Sequence, residues 1–344
     1  MPVAGSCDRF DDSAWDEPPL GGNVDAALAN RGGARRCHVE FLETPEERFE
    51  GLPDFPFAVQ RLQVDDSGLH MAYVDEGPRD GPVVLLMHGE PSWSYLYRFM
   101  IPPCVDAGFR VVAPDLIGFG RSSKPTSLGD YTYQRHVDWT SRWLEELDLK
   151  GITLFAQDWG SLIGLRLAAE LEERFAAIVI GNGFLPTGNL PLKGSKALSA
   201  GAAFLTWRAF ARFTPMFPTS AILSFGSGRD LSEGERRAYS APFPDSKYEA
   251  GARAFPRLVP ITPRDPAVPA NRAAWEVLER WDKPFVTAFS TGDPITRGMD
   301  ALLQQRIPGA RGRKHHRVRG GHFLQEVSGP ELAQIVIDTA REAN

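Results

Sequence analysis

One ten-residue stretch constrains the fold of this chain more than any other. Residues 152–161 read Ile-Thr-Leu-Phe-Ala-Gln-Asp-Trp-Gly-Ser. The apolar run through Phe155 is typical of a parallel strand that is covered on both faces, and residues 162–171 have the apolar spacing of a helix. An abrupt turn must therefore join this strand to this helix, and it falls on Asp158.

Small residues flank the turn. Ala156 and Gly160 occupy the positions of the two small residues that flank the nucleophile in a strand-to-helix elbow. The nucleophile of that elbow is usually a serine, whereas here the position is occupied by Asp158. A carboxylate that attacks a carbonyl gives an anhydride, whereas attack on a saturated carbon with a leaving group gives a stable alkyl ester. Two interpretations stay open from this stretch alone: Asp158 is a nucleophile for displacement at saturated carbon, or it N-caps the following helix.

Composition narrows the class of protein. The chain has 344 residues, of which 42% are hydrophobic and 24% charged, enough for one large core or two domains. A net charge of -6 argues against a nucleic-acid partner, and no apolar run approaches the roughly 18 residues of a membrane span. Cys7, Cys37 and Cys104 have no metal-ligand spacing and suggest no disulfide framework. We therefore expect a cytoplasmic protein without a membrane partner.

The order of the predicted elements indicates the fold class. Residues 1–40 show no sustained period and are predicted to be a loosely ordered extension, without the pattern of a secretory signal. A hairpin is predicted at 61–64 and 69–74, and helices at 133–147 and 330–341. Buried strands are predicted at 82–87, 110–114, 152–157, 176–180, 284–289 and 316–318. Strands that alternate with helices imply an α/β protein with a parallel, doubly wound sheet.

The pattern changes between Phe184 and about Pro263. Proline, aromatic residues and short helical segments such as 204–213 replace the strands, which predicts an inserted helical lid. The predicted organisation is an extension at 1–40, a core at 41–183, a helical cap at 184–265, and the second part of the core at 266–344.

Four motifs together resemble the haloalkane dehalogenases of the α/β-hydrolase superfamily. They are His88-Gly89-Glu90-Pro91, Gln157-Asp158-Trp159-Gly160, Gly292-Asp293 and Gly320-Gly321-His322-Phe323. The order of nucleophile, acid and histidine is the order of that fold. The resemblance extends from about residue 41 to the C-terminus. It implies a mostly parallel central sheet with helices on both faces, an inserted helical cap and an Asp-His-Asp triad with a pair of halide-binding tryptophans.

Each member of that triad has a chemical role. An aspartyl ester must be cleaved by water at its carbonyl carbon, so a base is needed, and His322 fits. Asp293 would fix the tautomer of His322 and stabilise its positive charge. Asn182 stands where some relatives place this acid, so no carboxylate is available there. The structural alternatives are that His322 lies in a surface loop and that Asp293 only shapes a Gly-Asp-Pro turn.

The other histidines are predicted to be structural. His88 begins the oxyanion-type loop, and His315 and His316 lie in the strand region before His322.

Negative charge that develops during the reaction needs hydrogen-bond donors to stabilise it. The backbone N–H groups of Glu90 and Trp159 are predicted to meet the oxyanion of ester hydrolysis, while the role of the Glu90 side chain stays open. A departing halide needs weak donors, and an indole N–H is a donor without a competing acceptor. The resemblance implies Trp159 and Trp207 for this task, although Trp207, the only tryptophan of the lid, would otherwise pack the lid on the core.

The predicted substrate is a small apolar haloalkane, which water converts to a primary alcohol, halide and a proton. We expect no metal or organic cofactor, because side chains and backbone supply the nucleophile, the base and the donors, and we expect a monomer. The residues predicted to line the apolar cavity are Phe184, Leu185, Phe204, Phe210, Phe213, Pro244, Phe323 and Leu324.

Two alternatives use the same fold. An epoxide hydrolase would share the aspartyl nucleophile but would need lid tyrosines to protonate the departing alkoxide, and Tyr239 and Tyr248 are available. A ligand-binding relative without turnover is also conceivable, but such proteins usually break the triad, which is intact here.

Overall fold

The computed structural model describes residues 39–188 and 205–343. Most of the predicted extension at 1–40, and Phe204 of the predicted cavity lining, lie outside the described residues. The described chain begins its regular structure at Phe41, where a two-residue strand pairs with Lys124–Pro125.

An eight-stranded sheet forms the centre of the molecule, in the order β10-β9-β8-β7-β4-β5-β3-β2. Five neighbouring pairs run parallel, from β5 through β4, β7, β8 and β9 to β10, and only β2 and β3 run antiparallel to their neighbours. The predicted mostly parallel sheet and its hairpin are therefore confirmed. The strands are β1 (Phe41–Leu42), β2 (Gln60–Gln63), β3 (His70–Glu76), β4 (Val83–Met87), β5 (Arg110–Pro114), β6 (Lys124–Pro125), β7 (Ile152–Gln157), β8 (Phe175–Gly181), β9 (Phe285–Ser290) and β10 (His316–Val318).

Helices cover both faces of this sheet. They are α1 (Ile101–Asp106), α2 (Tyr133–Glu146), α3 (Trp159–Glu170), α4 (205–213), α5 (Thr219–Ser227), α6 (Glu233–Ser240), α7 (Ala250–Leu258), α8 (Val268–Leu278), α9 (Met299–Arg306) and α10 (Gln325–Ala343). Within the described residues, none of these helices combines the length and the apolar character that crossing a bilayer requires.

The central strands are buried because each supplies apolar side chains to both faces. Leu85 of β4 and Leu154 of β7 belong to a core with residues of α2, α3 and α8. Leu86 and Phe155, the next residue along each strand, belong to a second core with residues of α1 and α10. Successive side chains of a strand point to opposite faces, so continuous apolar strands require two covering layers.

A helical segment interrupts the core between β8 and α8. In the described parts of 184–263, helices α4 to α7 occur and no strand does, as the sequence predicts. Apolar residues of α4 and α7, such as Ala211 and Phe255, join the first core, whereas Leu223 of α5 and Tyr239 of α6 join the second. We keep 184–265 as our interpretation of the cap and its bounds.

The start of α3 lies against the end of β4. A Cβ atom added at Gly160 would stand 2.0 Å from the carbonyl oxygen of Met87. Only glycine allows this approach, and it places the turn at Asp158 beside the loop that follows β4.

Replacing Gly160 by Ala tests this approach. Helix propensity alone would raise the free energy of unfolding by about 1 kcal/mol, but the collision with the Met87 carbonyl reverses the sign, and we expect a net loss of about 1–3 kcal/mol. Urea denaturation measures the change. Gly129→Ala is the control, because its Cβ would meet nothing closer than Ser127 Oγ at 3.6 Å. Equal stability of the two variants would contradict the proposed close packing.

Candidate active site

Asp158 occupies a strained turn. Its backbone φ of 52° and ψ of -128° lie outside the regions that residues with a side chain normally adopt. Four hydrogen bonds hold its backbone there. Its N–H donates to the carbonyl of Asn182 (3.1 Å), and its own carbonyl accepts from the N–H (2.9 Å) and the hydroxyl (2.6 Å) of Ser161 and from the N–H of Leu162 (3.4 Å). The side chain makes no capping bond to α3. The alternative that its carboxylate caps the helix is therefore wrong.

The carboxylate of Asp158 is shared between two partners. Oδ1 accepts the backbone N–H of Glu90 at 2.8 Å, and Oδ2 lies 3.3 Å from Nε2 of His322. A Cβ atom at Gly89 would stand 2.3 Å from the same carboxylate, so glycine is required next to Glu90. The predicted loop after β4 thus meets the elbow directly.

His322 and Asp293 complete a chain of three side chains. Nδ1 of His322 lies 3.2 Å from Oδ2 of Asp293, and both side chains are almost wholly buried. Asp293 is fixed in turn by the N–H groups of Ile295 (2.9 Å) and Thr296 (3.1 Å) and by the Thr296 hydroxyl. Asp293 follows β9 and His322 follows β10, so the sheet brings both to the edge at which β7 ends in Asp158.

The two carboxylates determine the charge of His322. Burial by itself lowers the pKa of an imidazole, but hydrogen bonds to Asp158 and Asp293, together with their negative charges, raise the pKa of His322 to about 10. Burial would likewise raise the pKa of Asp293, yet its hydrogen bond to His322 and the charge of that ring lower it to about 2. At neutral pH the site therefore holds a charged imidazolium between two carboxylates.

Glu90 has a second feature besides its backbone donor. Its side chain is buried, and Oε1 has no hydrogen-bond partner among the described residues. Burial, and then the charge of Asp158, raise the pKa of Glu90 well above its usual value. Burial and the charge of Asp158 therefore both favour the neutral form of this carboxyl group.

The comparisons with known proteins agree with this geometry. A family model described as the alpha/beta hydrolase fold matches residues 82–328. A haloalkane dehalogenase of Mycolicibacterium paratuberculosis is 54% identical over 302 residues, which cover 87% of this chain and 98% of the relative. Haloalkane dehalogenase 1 of Mycobacterium tuberculosis is 56% identical over 301 residues, covering 86% and 97%. The chain belongs to the haloalkane dehalogenase family.

A solved structure of this family has the same fold. Haloalkane dehalogenase DpaA from Paraglaciecola agarilytica NO2, described as tetrameric, superposes with a TM-score of 0.78 at 35% identity and covers 86% of this chain and 97% of its own. The predicted fold and family are thereby confirmed.

Of the two tryptophans that the family resemblance implies, Trp159 belongs to the first core and Trp207 packs against it. Trp159 is 3% exposed, stacks on Phe255 of α7 with 4.4 Å between ring centroids, and meets the edge of Tyr133. Trp207 is half-buried and packs on Phe210 and Phe217 at 5.6 and 5.9 Å. Among the residues that the structure describes, no acceptor is bonded to the indole N–H of Trp159.

Helix α7 and the residue before it contact Trp159 and a neighbour of Trp207. Phe255 stacks on Trp159, and Glu249, just before α7, accepts the backbone N–H of Phe217, which packs on Trp207. The structure does not place Trp207 in contact with Asp158 or Trp159.

The predicted lining residues fall into three groups. Leu185, Phe323 and Leu324 are buried, and the ring of Phe323 meets that of His322 edge to face at 5.1 Å. Phe184 and Pro244 are half-buried. Phe210 is 41% exposed and Phe213 73% exposed, so neither ring is enclosed, and Phe213 lies at the last residue of α4.

The two lid tyrosines pack on different cores. Tyr239 is fully buried in the second core, where its hydroxyl donates to Glu326 and its ring meets Tyr95. Tyr248 is partly buried beside the first core. The hydroxyl of Tyr239 is thus already engaged with a carboxylate other than Asp158.

Sequence reasoning missed two amides that hold His322. The Asn182 side chain donates to the carbonyls of Gly321 and His322, each at 2.9 Å, and accepts the N–H of Ser290. Nε2 of Gln157 lies 3.2 Å from the His322 carbonyl and 3.1 Å from its Nε2. Both amides stand at the carboxyl ends of buried strands, where functional side chains of α/β sheets collect, and that position was the available signal.

Two of the other histidines have structural partners. Nε2 of the buried His88 accepts the N–H of Leu116 at 2.9 Å, and Nδ1 of His315 accepts the N–H of Thr287 at 3.1 Å. A cavity of about 310 Å³ opens beside Asp293, but neither Asp158 nor His322 lines it. It is therefore distinct from the space in which the carboxylate of Asp158 would meet a substrate.

Replacing Asp158 by Asn tests the electrostatic coupling. The substitution removes one of the two charges that raise the pKa of His322, so we expect that pKa to fall below its value of about 10 in the unmodified protein. Titration of ¹³C-labelled histidine by NMR measures it. The pKa of His316, which burial lowers and to which Asp158 does not contribute, should not change. An unchanged pKa of His322 would refute the coupling.

Proposed function

We propose that this protein hydrolyses haloalkanes to an alcohol, a halide ion and a proton through an alkyl ester on Asp158. One observation carries the proposal: the elbow presents a carboxylate, not a hydroxyl, and that carboxylate lies 3.3 Å from a histidine paired with a second buried acid. Family membership supports the same reaction class.

In the first step, Oδ2 of Asp158 attacks the halogen-bearing carbon. The new bond is carbon to oxygen, and the carbon–halogen bond breaks with its electron pair on the halide. Oδ2 is the nucleophilic atom because the N–H of Glu90 already holds Oδ1. The indole N–H of Trp159 stabilises the halide, and we assign Trp207 as its second donor because α7 contacts the surroundings of both rings.

Ester formation prepares the base. In the resting site His322 is protonated, since two carboxylates face it. The ester has no charge, so only Asp293 still favours the imidazolium, and the pKa of His322 falls. The ring then releases its proton to solvent and becomes able to accept one from water.

In the second step, His322 takes a proton from a water molecule that attacks Cγ of Asp158. Negative charge develops on Oδ1, where the N–H of Glu90 and the N–H of Trp159, the first residue of α3, stabilise it. Cleavage of the bond between Cγ and the alkyl oxygen yields the alcohol, which takes the second proton of the water. Asp293 stabilises the imidazolium throughout.

Epoxide hydrolysis is not favoured. It needs lid hydroxyls directed at the leaving oxygen, whereas the hydroxyl of Tyr239 donates to Glu326. Binding without turnover does not require the arrangement of Asp158, His322 and Asp293 observed here. The monomeric state and the cytoplasmic location expected from the sequence stay predictions.

Replacing His322 by Gln should stop the reaction after the first step. Without a base, water cannot cleave the ester, and the enzyme should accumulate as a butyl ester of Asp158 when it is incubated with 1-bromobutane. Intact mass spectrometry detects the adduct, and peptide mapping locates it.

Three controls accompany this measurement. The unmodified protein should release bromide continuously from 1-bromobutane and 1,2-dibromoethane, and Asp158→Ala should neither release bromide nor form an adduct. Formation of diol from styrene oxide without bromide release from either haloalkane would move the assignment to epoxide hydrolysis. An unmodified mass of the His322→Gln variant, in a preparation that still releases one bromide per molecule, would refute the ester on Asp158.

Replacing Trp207 by Phe tests the second halide donor. The ring remains but the N–H is lost, so we expect carbon–halogen cleavage to slow by roughly tenfold to a hundredfold, as for the loss of one hydrogen bond to a charged group. Rapid-quench measurement of the bromide burst gives this rate. Phe210→Leu is the control, since it alters the packing of Trp207 without removing a donor. A burst rate equal to that of the unmodified protein would place the second donor elsewhere.

A further inference from the structure

A buried group of charged side chains joins the cap to the turn that carries His322. We call Arg98, Arg229, Glu235, Tyr239 and Glu326 the ion cluster. Its centre is Glu326, whose side chain is wholly buried. The carboxylate of Glu326 accepts hydrogen bonds from both terminal nitrogens of Arg98, at 2.6 and 2.8 Å. It also accepts hydrogen bonds from the guanidinium of Arg229 and from the hydroxyl of Tyr239.

The ion cluster connects three parts of the chain. Arg98 follows the oxyanion loop of the core, Arg229 and Glu235 belong to the cap, and Glu326 lies four residues after His322. Glu235 accepts from Arg98 at 2.8 Å and from Arg229 at 2.5 Å. Two arginines balance two glutamates, and buried charges are stable only when each is paired. The cap therefore cannot separate from this turn without exposing or unpairing charge.

Backbone hydrogen bonds join the end of α5 to the turn that carries His322. The N–H groups on either side of His322, those of Gly321 and Phe323, donate to the carbonyls of Ser227 (2.9 Å) and Gly226 (3.2 Å) at the end of α5. A Cβ atom at Gly226 would lie 2.6 Å from the ring of Phe323, so glycine permits this contact. In addition, Nε of Arg229 donates to the Glu326 carbonyl at 2.9 Å.

Within the described residues, Asp158 has no such link to α5, to α6 or to the ion cluster. The backbone of Asp158 is held by Asn182 and Ser161, and its carboxylate by Glu90, all within the core. A disturbance at the end of α5 would therefore displace the base while the nucleophile keeps its position.

We propose that the segment Gly226–Arg229 and the ion cluster position His322, so that Arg229 and Glu326 are positioning residues for hydrolysis of the alkyl ester. This inference rests on the proposed function. The cap then supports the second step of the reaction from its α5 side, and loosening that contact slows water attack without slowing halide displacement.

The test is Arg229→Met, which keeps the length of the side chain and removes its bonds to Glu235 and Glu326. We expect the rate of ester hydrolysis to fall about tenfold, because a displaced base loses its alignment with water, and the bromide burst to stay within about twofold of that of the unmodified protein. Rapid quench with intact mass spectrometry should show alkyl-enzyme accumulating at steady state.

Arg313→Met is a matched control. The Arg313 side chain has the same 27% exposure as that of Arg229, pairs with Glu342 and donates from Nε to the carbonyl of Gly309, but it lies outside the cap and away from the His322 turn. Its burst and hydrolysis rates should both match those of the unmodified protein.

Equal slowing of the burst and of hydrolysis by Arg229→Met would overturn the inference, and so would no change in either. Should Arg229→Met fail to fold, Arg229→Lys is the second variant, because it keeps the charge but cannot bridge Glu235 and Glu326. We expect it to slow ester hydrolysis without slowing the bromide burst, and this result decides the question. If His322→Gln itself forms no adduct, the proposed function fails. If that adduct forms but the Arg229 variants show none at steady state, only the positioning role fails.

Discussion

The position of the Asp158 carboxylate is the constraint on which the site depends. Its backbone conformation costs of the order of 1–3 kcal/mol, and the surrounding structure has to hold it. The carbonyl of Asn182, the Ser161 side chain and the absence of side chains at Gly89 and Gly160 provide that support. The result is a carboxylate with one oxygen fixed by the N–H of Glu90 and the other beside Nε2 of His322.

The same carboxylate controls the acid–base state of its neighbour. With Asp158 charged, the pKa of His322 is raised to about 10, so the ring is protonated at neutral pH and cannot remove a proton from water. In the proposed ester of Asp158, one of the two charges is lost and the imidazole can act as a base. On the proposed mechanism the order of the two steps is thus built into the electrostatics of three side chains, and no change of conformation is needed.

Much of this arrangement was predictable from the sequence, and the reasons are local. Apolar runs located β4, β7 and β8, and the alternation of strands and helices gave the parallel sheet. Asp293 and His322 were recognisable because each follows a strand whose end reaches the edge at Asp158. The sequence shows Asn182 only as a missing carboxylate, because its place at the end of β8 marks a functional position but does not reveal which backbone carbonyls its amide bonds to.

The ion cluster was beyond such reasoning. Arg98 and Glu326 are 228 positions apart, and each resembles an ordinary charged residue beside a helix. Only the fold shows that their side chains are buried together. The case of Trp207 is the reverse. The family resemblance implies that it binds halide, but its ring contacts are with Phe210 and Phe217, so the halide role stays a proposal.

The division of the cap between two cores has a consequence for how such an enzyme can diverge. Helices α4 and α7 pack on the core that contains Trp159, whereas α5 and α6 pack on the core that contains Phe323, beside His322. On the proposed mechanism, substitutions in α4 alter the packing around Trp207, while the contacts of α5 with the turn that carries His322 stay intact. On that proposal, evolution of substrate range and preservation of turnover fall to different helices of one inserted segment.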